Sequence, residues 1–167
     1  MKQEVASFLD YVAHSPTVFQ ATQQACDMLD AAGFTRLSEH EAWEILPGGR
    51  YYVTRNRSAL VAFAVPENGF THCQIVASHG DSPTFKLKAH AEGEAAGAYI
   101  RLDVEPYGGM IMSTWFDRPL SIAGRALVRE DGRLVTRLID LDRDAALIPN
   151  MPIHFNRDIN SGYSYNP

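Results

Sequence analysis

The stretch RYYVTRNRSALVAFAV, residues 50–65, marks where the pattern of the chain changes. Two runs rich in aromatic and β-branched side chains, RYYVTR and SALVAFAV, flank Asn56-Arg57, and that arrangement predicts a β-hairpin. The residues before it have helical spacing, and most of those after it have strand spacing. Helices first, then strands, then a further β-rich block predict an α/β layer with a β-module behind it.

Backwards from Arg50, Val5, Phe8, Leu9 and Val12 recur at helical spacing and predict an amphipathic helix over residues 3–13. Ser15-Pro16-Thr17 reads as a restart, with serine as N-cap and proline at the first helical position. Val18, Ala21, Ala25, Met28 and Leu29 continue one apolar face until Gly33 stops the helix. SEHE, residues 38–41, matches a capping box and predicts a short helix. Forwards from the hairpin, THCQIVAS (71–78) is almost continuously apolar, as a central strand covered on both faces would be. TFKLKAH (84–90) alternates and should turn one face to water. The small residues AEGEAAG (91–97) read as a break between segments. AYIRLDVEPYGG, LSIAGRALVRE and RLVTRLIDL then predict further strands, the last two joined at Asp131-Gly132.

Composition narrows the function classes. With 167 residues, 46% apolar and 21% charged, the chain fits one soluble domain, or one domain and part of a second. A net charge of -5 leaves no electrostatic footprint for nucleic acid. No stretch approaches the roughly 20 apolar residues of a membrane helix. The N-terminus interrupts its apolar pattern with acidic residues, unlike a signal peptide. Cys26 and Cys73 are expected to be buried thiols of a cytoplasmic protein, and neither sits in a CxxC motif. GxSxG, Walker and GxGxxG motifs are absent from the sequence.

Chemistry can be sought in three stretches. In VASHGDSPTFKLK (76–88), His79-Gly80-Asp81 comes directly after an apolar run, where α/β sheets place ligand sites. An imidazole there can ligate zinc, and an aspartate two residues on can orient the ring. On local chemistry alone the favoured reading is a surface turn in which Asp81 caps the next segment. In YGGMIMSTWFDRPL (107–120), Trp115-Phe116 should be largely buried and Asp117-Arg118 could pair. IHFNRDIN (153–160) crowds His154, Asn156, Arg157, Asp158 and Asn160, which suits an interface, a ligand contact or a solvated loop. His14 reads as a helix-end residue, His72 and His90 as surface residues, and His40 falls inside the capping box without a partner nearby.

Together these blocks, with FLDYVAHSPTVFQA and GGRYYVTRNRSALVAF, resemble the aspartyl aminopeptidase family of dinuclear zinc exopeptidases. The resemblance covers nearly the whole chain. It implies an α/β fold: the N-terminal part of a zinc-aminopeptidase α/β domain, residues 1–90, then part of an inserted β-rich dimerisation domain, residues 91–167. It also implies His79 as a zinc ligand, Asp81 as the catalytic-site residue that orients it, and His154 as a substrate contact reaching a neighbouring subunit. Trp115, Asp117 and Arg118 are then structural or interfacial. The implied activity removes N-terminal Asp or Glu from peptides in the cytoplasm, using two zinc ions in a dimer-based, larger homo-oligomer. Neither nucleic acid nor membrane is an expected partner.

Two departures from the family pattern matter. Gly80 stands where the family usually has threonine. The bridging carboxylate, the glutamate base and the remaining ligands of the family lie beyond the IHxxR block, outside residues 1–167. Two-metal hydrolysis needs both ions held together and a base beside the attacking water, which one histidine and one aspartate cannot provide. The expectation is therefore an N-terminal portion of an aminopeptidase, inactive by itself. The alternatives are a non-catalytic assembly module, or a metal aminopeptidase of different side-chain preference.

Overall fold

The computed structural model describes residues 2–162. In chain order the elements are helices α1 (Gln3–Ala13) and α2 (Val18–Ala31), then strands β1 (Thr35–Leu37), β2 (Arg50–Arg55) and β3 (Ala59–Ala64). They continue with β4 (Thr84–Ala95), β5 (Tyr99–Tyr107), a single 3-10 turn at Met112–Trp115, β6 (Pro119–Leu120), β7 (Ala123–Glu130), β8 (Arg133–Asp140) and β9 (Ala146–Leu147). The architecture is mixed α/β, as the sequence predicts. Two compact units emerge: one from the residues up to Asp81 with Ala123–Leu141, the other from Ser82–Ile122 and the residues from Asp142 onward.

In the first unit, α1 spans the predicted residues. The start of α2 differs from prediction: Thr17, not Ser15, is the N-cap, its Oγ1 accepting from the Phe19 amide at 3.2 Å. The Thr17 hydroxyl also donates to Gln20 Oε1, and that pair of bonds fixes the helix start two residues late. Ser15 Oγ is left buried without a partner.

The inward face of α2 is displaced as well. Gln20, Ala21, Thr22 and Cys26 are buried, while Met28 is exposed. Gln20 explains the shift, because its amide nitrogen donates to the carbonyls of Ile139 (2.9 Å) and Gly124 (3.4 Å) on the β7–β8 hairpin. Arg125 on β7 lies over the Phe19 ring at 4.2 Å and donates to the Asn56 carbonyl at 2.7 Å. The hairpin is thereby tied to both α2 and the β2–β3 turn.

The sheet of this unit has the order β1-β2-β3, with β1 parallel and β3 antiparallel to β2. The Asn56-Arg57 turn forms as read: φ is +51° and +53°, and the Ser58 amide donates to the Arg55 carbonyl at 3.1 Å. Tyr52 is wholly buried and donates its hydroxyl to Asp30 Oδ1 at 2.7 Å. Burial, reinforced by that bond, pushes the Tyr52 phenol up to about 12. The neighbouring Tyr51 is buried with its ring against Gly49, and its hydroxyl accepts the Leu46 amide at 2.9 Å.

Two expected elements do not form here. Ser38 Oγ accepts from the His40 amide at 3.2 Å, and this local turn replaces the short helix predicted at 38–41. THCQIVAS pairs with no strand among the described residues, and Ile75 (81% exposed) and Val76 (90%) face solvent. Its apolarity is that of a covered strand, but no described segment covers it. Cys73 is therefore an exposed thiol rather than a buried one, whereas Cys26 is buried. Burial pushes the Cys26 thiol up.

In the second unit, β4 and β5 form a long hairpin. Residues 91–97 are no break: Ala91–Ala95 complete β4, and Ala96-Gly97 turn the hairpin with φ of +51° and +65°. Small side chains suffice there because the ladder is made by backbone groups, and the Arg101 guanidinium lies over Gly93. A register shift between Leu87 and Glu92 bulges β4 around His90. Trp115 is only half-buried, edge-on to Phe85 at 5.5 Å, and Phe116 is likewise half-buried.

Asp117 and Arg118 do not pair with each other. Asp117, at φ +54°, accepts the Asn150 amide at 2.9 Å, while Arg118 donates to the Thr114 carbonyl at 3.2 Å. β6 pairs with β9 beside this corner. Asp131-Gly132, in the first unit, forms the predicted two-residue hairpin turn of β7 and β8.

Candidate metal centre

His79 and Asp81 belong to the extended, unpaired segment that ends the continuous part of the first unit. The His79 ring is 83% exposed and the Asp81 side chain 43% exposed. His79 Nδ1 lies 2.8 Å from the backbone carbonyl of Asp81 and 3.5 Å from its carboxylate Oδ1. A carbonyl oxygen only accepts, so this bond requires the proton on Nδ1. With the proton on Nδ1, Nε2 is the nitrogen left for a metal.

The sequence suggests that the Asp81 carboxylate holds the ring, yet the nearer oxygen is a backbone atom. No sequence signal could reveal that contact, since every residue has the carbonyl. Nothing in the backbone at Gly80 demands glycine, and a Cβ added there would meet Val18 Cγ2 at 4.0 Å. The β-carbon of the threonine usual in the family would therefore meet no clash.

His154 lies in the second unit, exposed on a turn in which the Phe155 amide donates to the Pro152 carbonyl at 2.9 Å. Exposed Ile153 and Phe155 flank it.

Zinc needs three or four donors. Among the described residues, no group of three or more His, Cys, Asp or Glu side chains is placed to hold a metal ion. The pair at 79 and 81 therefore fits one donor of a zinc site, not the site itself, and no catalytic step can be derived from these residues alone.

The family model described as Aminopeptidase I zinc metalloprotease (M18) matches residues 11–167. The chain belongs to the M18 peptidase family. Among M18 relatives, the chain is 42% identical over 161 residues to a probable M18 family aminopeptidase 2 of Pseudomonas putida (strain GB-1), covering 95% of this chain and 37% of the relative. It is 42% identical over 177 residues to a protein of the same name from Clostridium acetobutylicum, covering all of this chain and 40% of that one. The chain thus spans about two fifths of the length of these curated relatives.

Solved M18 structures resemble it closely. The complex of Ape4 and Nbr1 matches with a TM-score of 0.90 at 42% identity, over 96% of this chain and 31% of that one. The S. cerevisiae mApe1 dodecamer matches with a TM-score of 0.79 at 30% identity, over 89% and 36% of the two chains.

Proposed function

We propose that this chain is part of a zinc aminopeptidase that removes acidic residues, Asp or Glu, from peptide N-termini. His79 ligates one of two zinc ions through Nε2. The Asp81 carbonyl fixes the ring, with the Asp81 carboxylate beside it. The observation that supports this reading is the Nδ1 bond to the Asp81 carbonyl, which leaves Nε2 of a largely exposed ring available. The first unit contributes to the catalytic domain and the second to a dimerisation domain, from which His154 contacts substrate bound at a neighbouring subunit. The remaining zinc ligands and the base come from residues outside 1–167, so the chain by itself is inactive. The enzyme is a cytoplasmic homo-oligomer, built from dimers and larger than one. Oligomerisation is supported by the dodecamer solved for a relative.

The test compares aspartyl, glutamyl and leucyl chromogenic substrates, using the protein at the full length of its relatives and the 167-residue chain. Acidic preference in the former and no turnover in the latter support the reading. A leucyl preference would remove the specificity, and turnover by the chain alone would remove the claim that its zinc site is incomplete.

A second reading, an assembly module without catalysis, is favoured by the exposed Tyr99, Ile100, Ile111 and Phe155 of the second unit. Light scattering addresses it, since a strictly monomeric chain has no such role.

A further inference from the structure

We propose that Asn68-Gly69 is a site of spontaneous chemical modification, at which the native fold gives the asparagine no protection from deamidation. It is the only Asn-Gly dipeptide in the sequence. Asn56, Asn150, Asn156 and Asn160 precede Arg, Met, Arg and Ser, whose side chains hinder approach to the next amide. The reaction requires the Gly69 nitrogen to reach the Asn68 side-chain carbonyl carbon, so it needs a free amide, a mobile backbone and access for water.

The loop supplies the access: Glu67-Asn68 form a turn there, and among the described residues no backbone bond from the Gly69 amide meets hydrogen-bond geometry. The loop leaves β3 immediately after an anchor, where the Val65 amide donates to the Gly49 carbonyl and the Gly48 amide to the Val65 carbonyl, each at 2.9 Å. Beyond that anchor, neither Asn68 nor Gly69 takes part in a ladder or a side-chain bond. Both are exposed, and a Cβ placed on Gly69 would meet nothing within 4 Å. Asn68 and Gly69 line an open crevice of about 550 Å³ with Pro66, Phe70, Thr71 and His72, which admits water.

In the reaction, the deprotonated Gly69 nitrogen attacks Asn68 Cγ, and the C–N bond to the side-chain amide breaks. Ammonia leaves, taking up the proton. The resulting succinimide adds one water at either carbonyl and opens to aspartate or to isoaspartate. Isoaspartate lengthens the backbone by one carbon within the connection that leads from β3 to His79.

The test is peptide mapping by mass spectrometry of the purified chain held in mildly alkaline buffer, native and in urea. The Asn68 peptide should convert with time into two products in which oxygen replaces NH, while the peptides carrying Asn56, Asn150 and Asn156 lag behind. Native and urea-unfolded chains should convert at comparable rates, and Asn68→Gln should abolish both products. Native conversion slower than unfolded by about tenfold or more would mean that the loop must open first, and would overturn the proposal. Conversion at Asn68 no faster than at Asn56 would overturn it equally.

Discussion

At the residue scale, two adjacent tyrosines and two glycines set distinct tests. Tyr52 is buried against Asp30, and its phenol is held at about 12, above the value of about 10 in an unfolded chain. A group whose folded pKa is raised contributes stability that is complete below its unfolded pKa and is lost as pH rises through the folded one. Alkaline unfolding should therefore steepen between about pH 10 and 12, and Tyr52→Phe should flatten that limb in circular dichroism. At neutral pH the same variant should cost about 0.5–1.5 kcal/mol, the net value of one hydrogen bond.

Gly49 and Gly80 should respond oppositely to alanine. A Cβ at Gly49 would collide with the Tyr51 phenol, which is buried and bonded to Leu46, so Gly49→Ala should lower the denaturant midpoint markedly. Gly80 has ordinary contact distance to Val18, and Gly80→Ala should raise stability by about 0.4–1 kcal/mol through the unfolded chain. Neither difference can be read from the letter G in the sequence, because both depend on which side chain lies over the backbone.

At the scale of elements, legibility tracks local chemistry. The turns at Asn56-Arg57 and Asp131-Gly132 are readable because left-handed backbone selects Asn, Asp and Gly. Helix α1 is readable from its spacing. β1 escapes the sequence because three residues give no period. The cap of α2 is misplaced by sequence alone because Ser15 and Thr17 carry equivalent hydroxyls, and only the Gln20 side chain decides between them. The β4–β5 turn shows another limit: its first left-handed position is Ala96, which bears a steric penalty that glycine would not. Ala96→Gly should stabilise the hairpin by about 1 kcal/mol, read as a raised denaturant midpoint. No gain would mean that Ala96 does not hold φ +51° in solution.

At the scale of the whole molecule, the segment 71–83 separates sequence from structure most sharply. Its composition is that of a covered strand, yet Ile75 and Val76 face solvent among the described residues. Apolar side chains so exposed favour association. Ile75→Lys with Val76→Lys should reduce self-association of the 167-residue chain in light scattering without lowering its denaturant midpoint. In the protein at the full length of its relatives the same pair should destabilise, as burial of two lysines would demand. Of the candidate centre, the His79-Gly80-Asp81 motif is legible in the sequence, and the contact of its ring with a backbone carbonyl is not.

Everything proposed for the centre depends on His79 being a zinc ligand. The decisive quantity is the zinc content of the His79→Ala variant, measured by atomic emission on the protein at the full length of its relatives. Zinc should fall clearly below that of the unsubstituted protein, with Asp81→Asn retaining most of it because the carbonyl still holds the ring. An unchanged zinc content in His79→Ala would contradict the assignment.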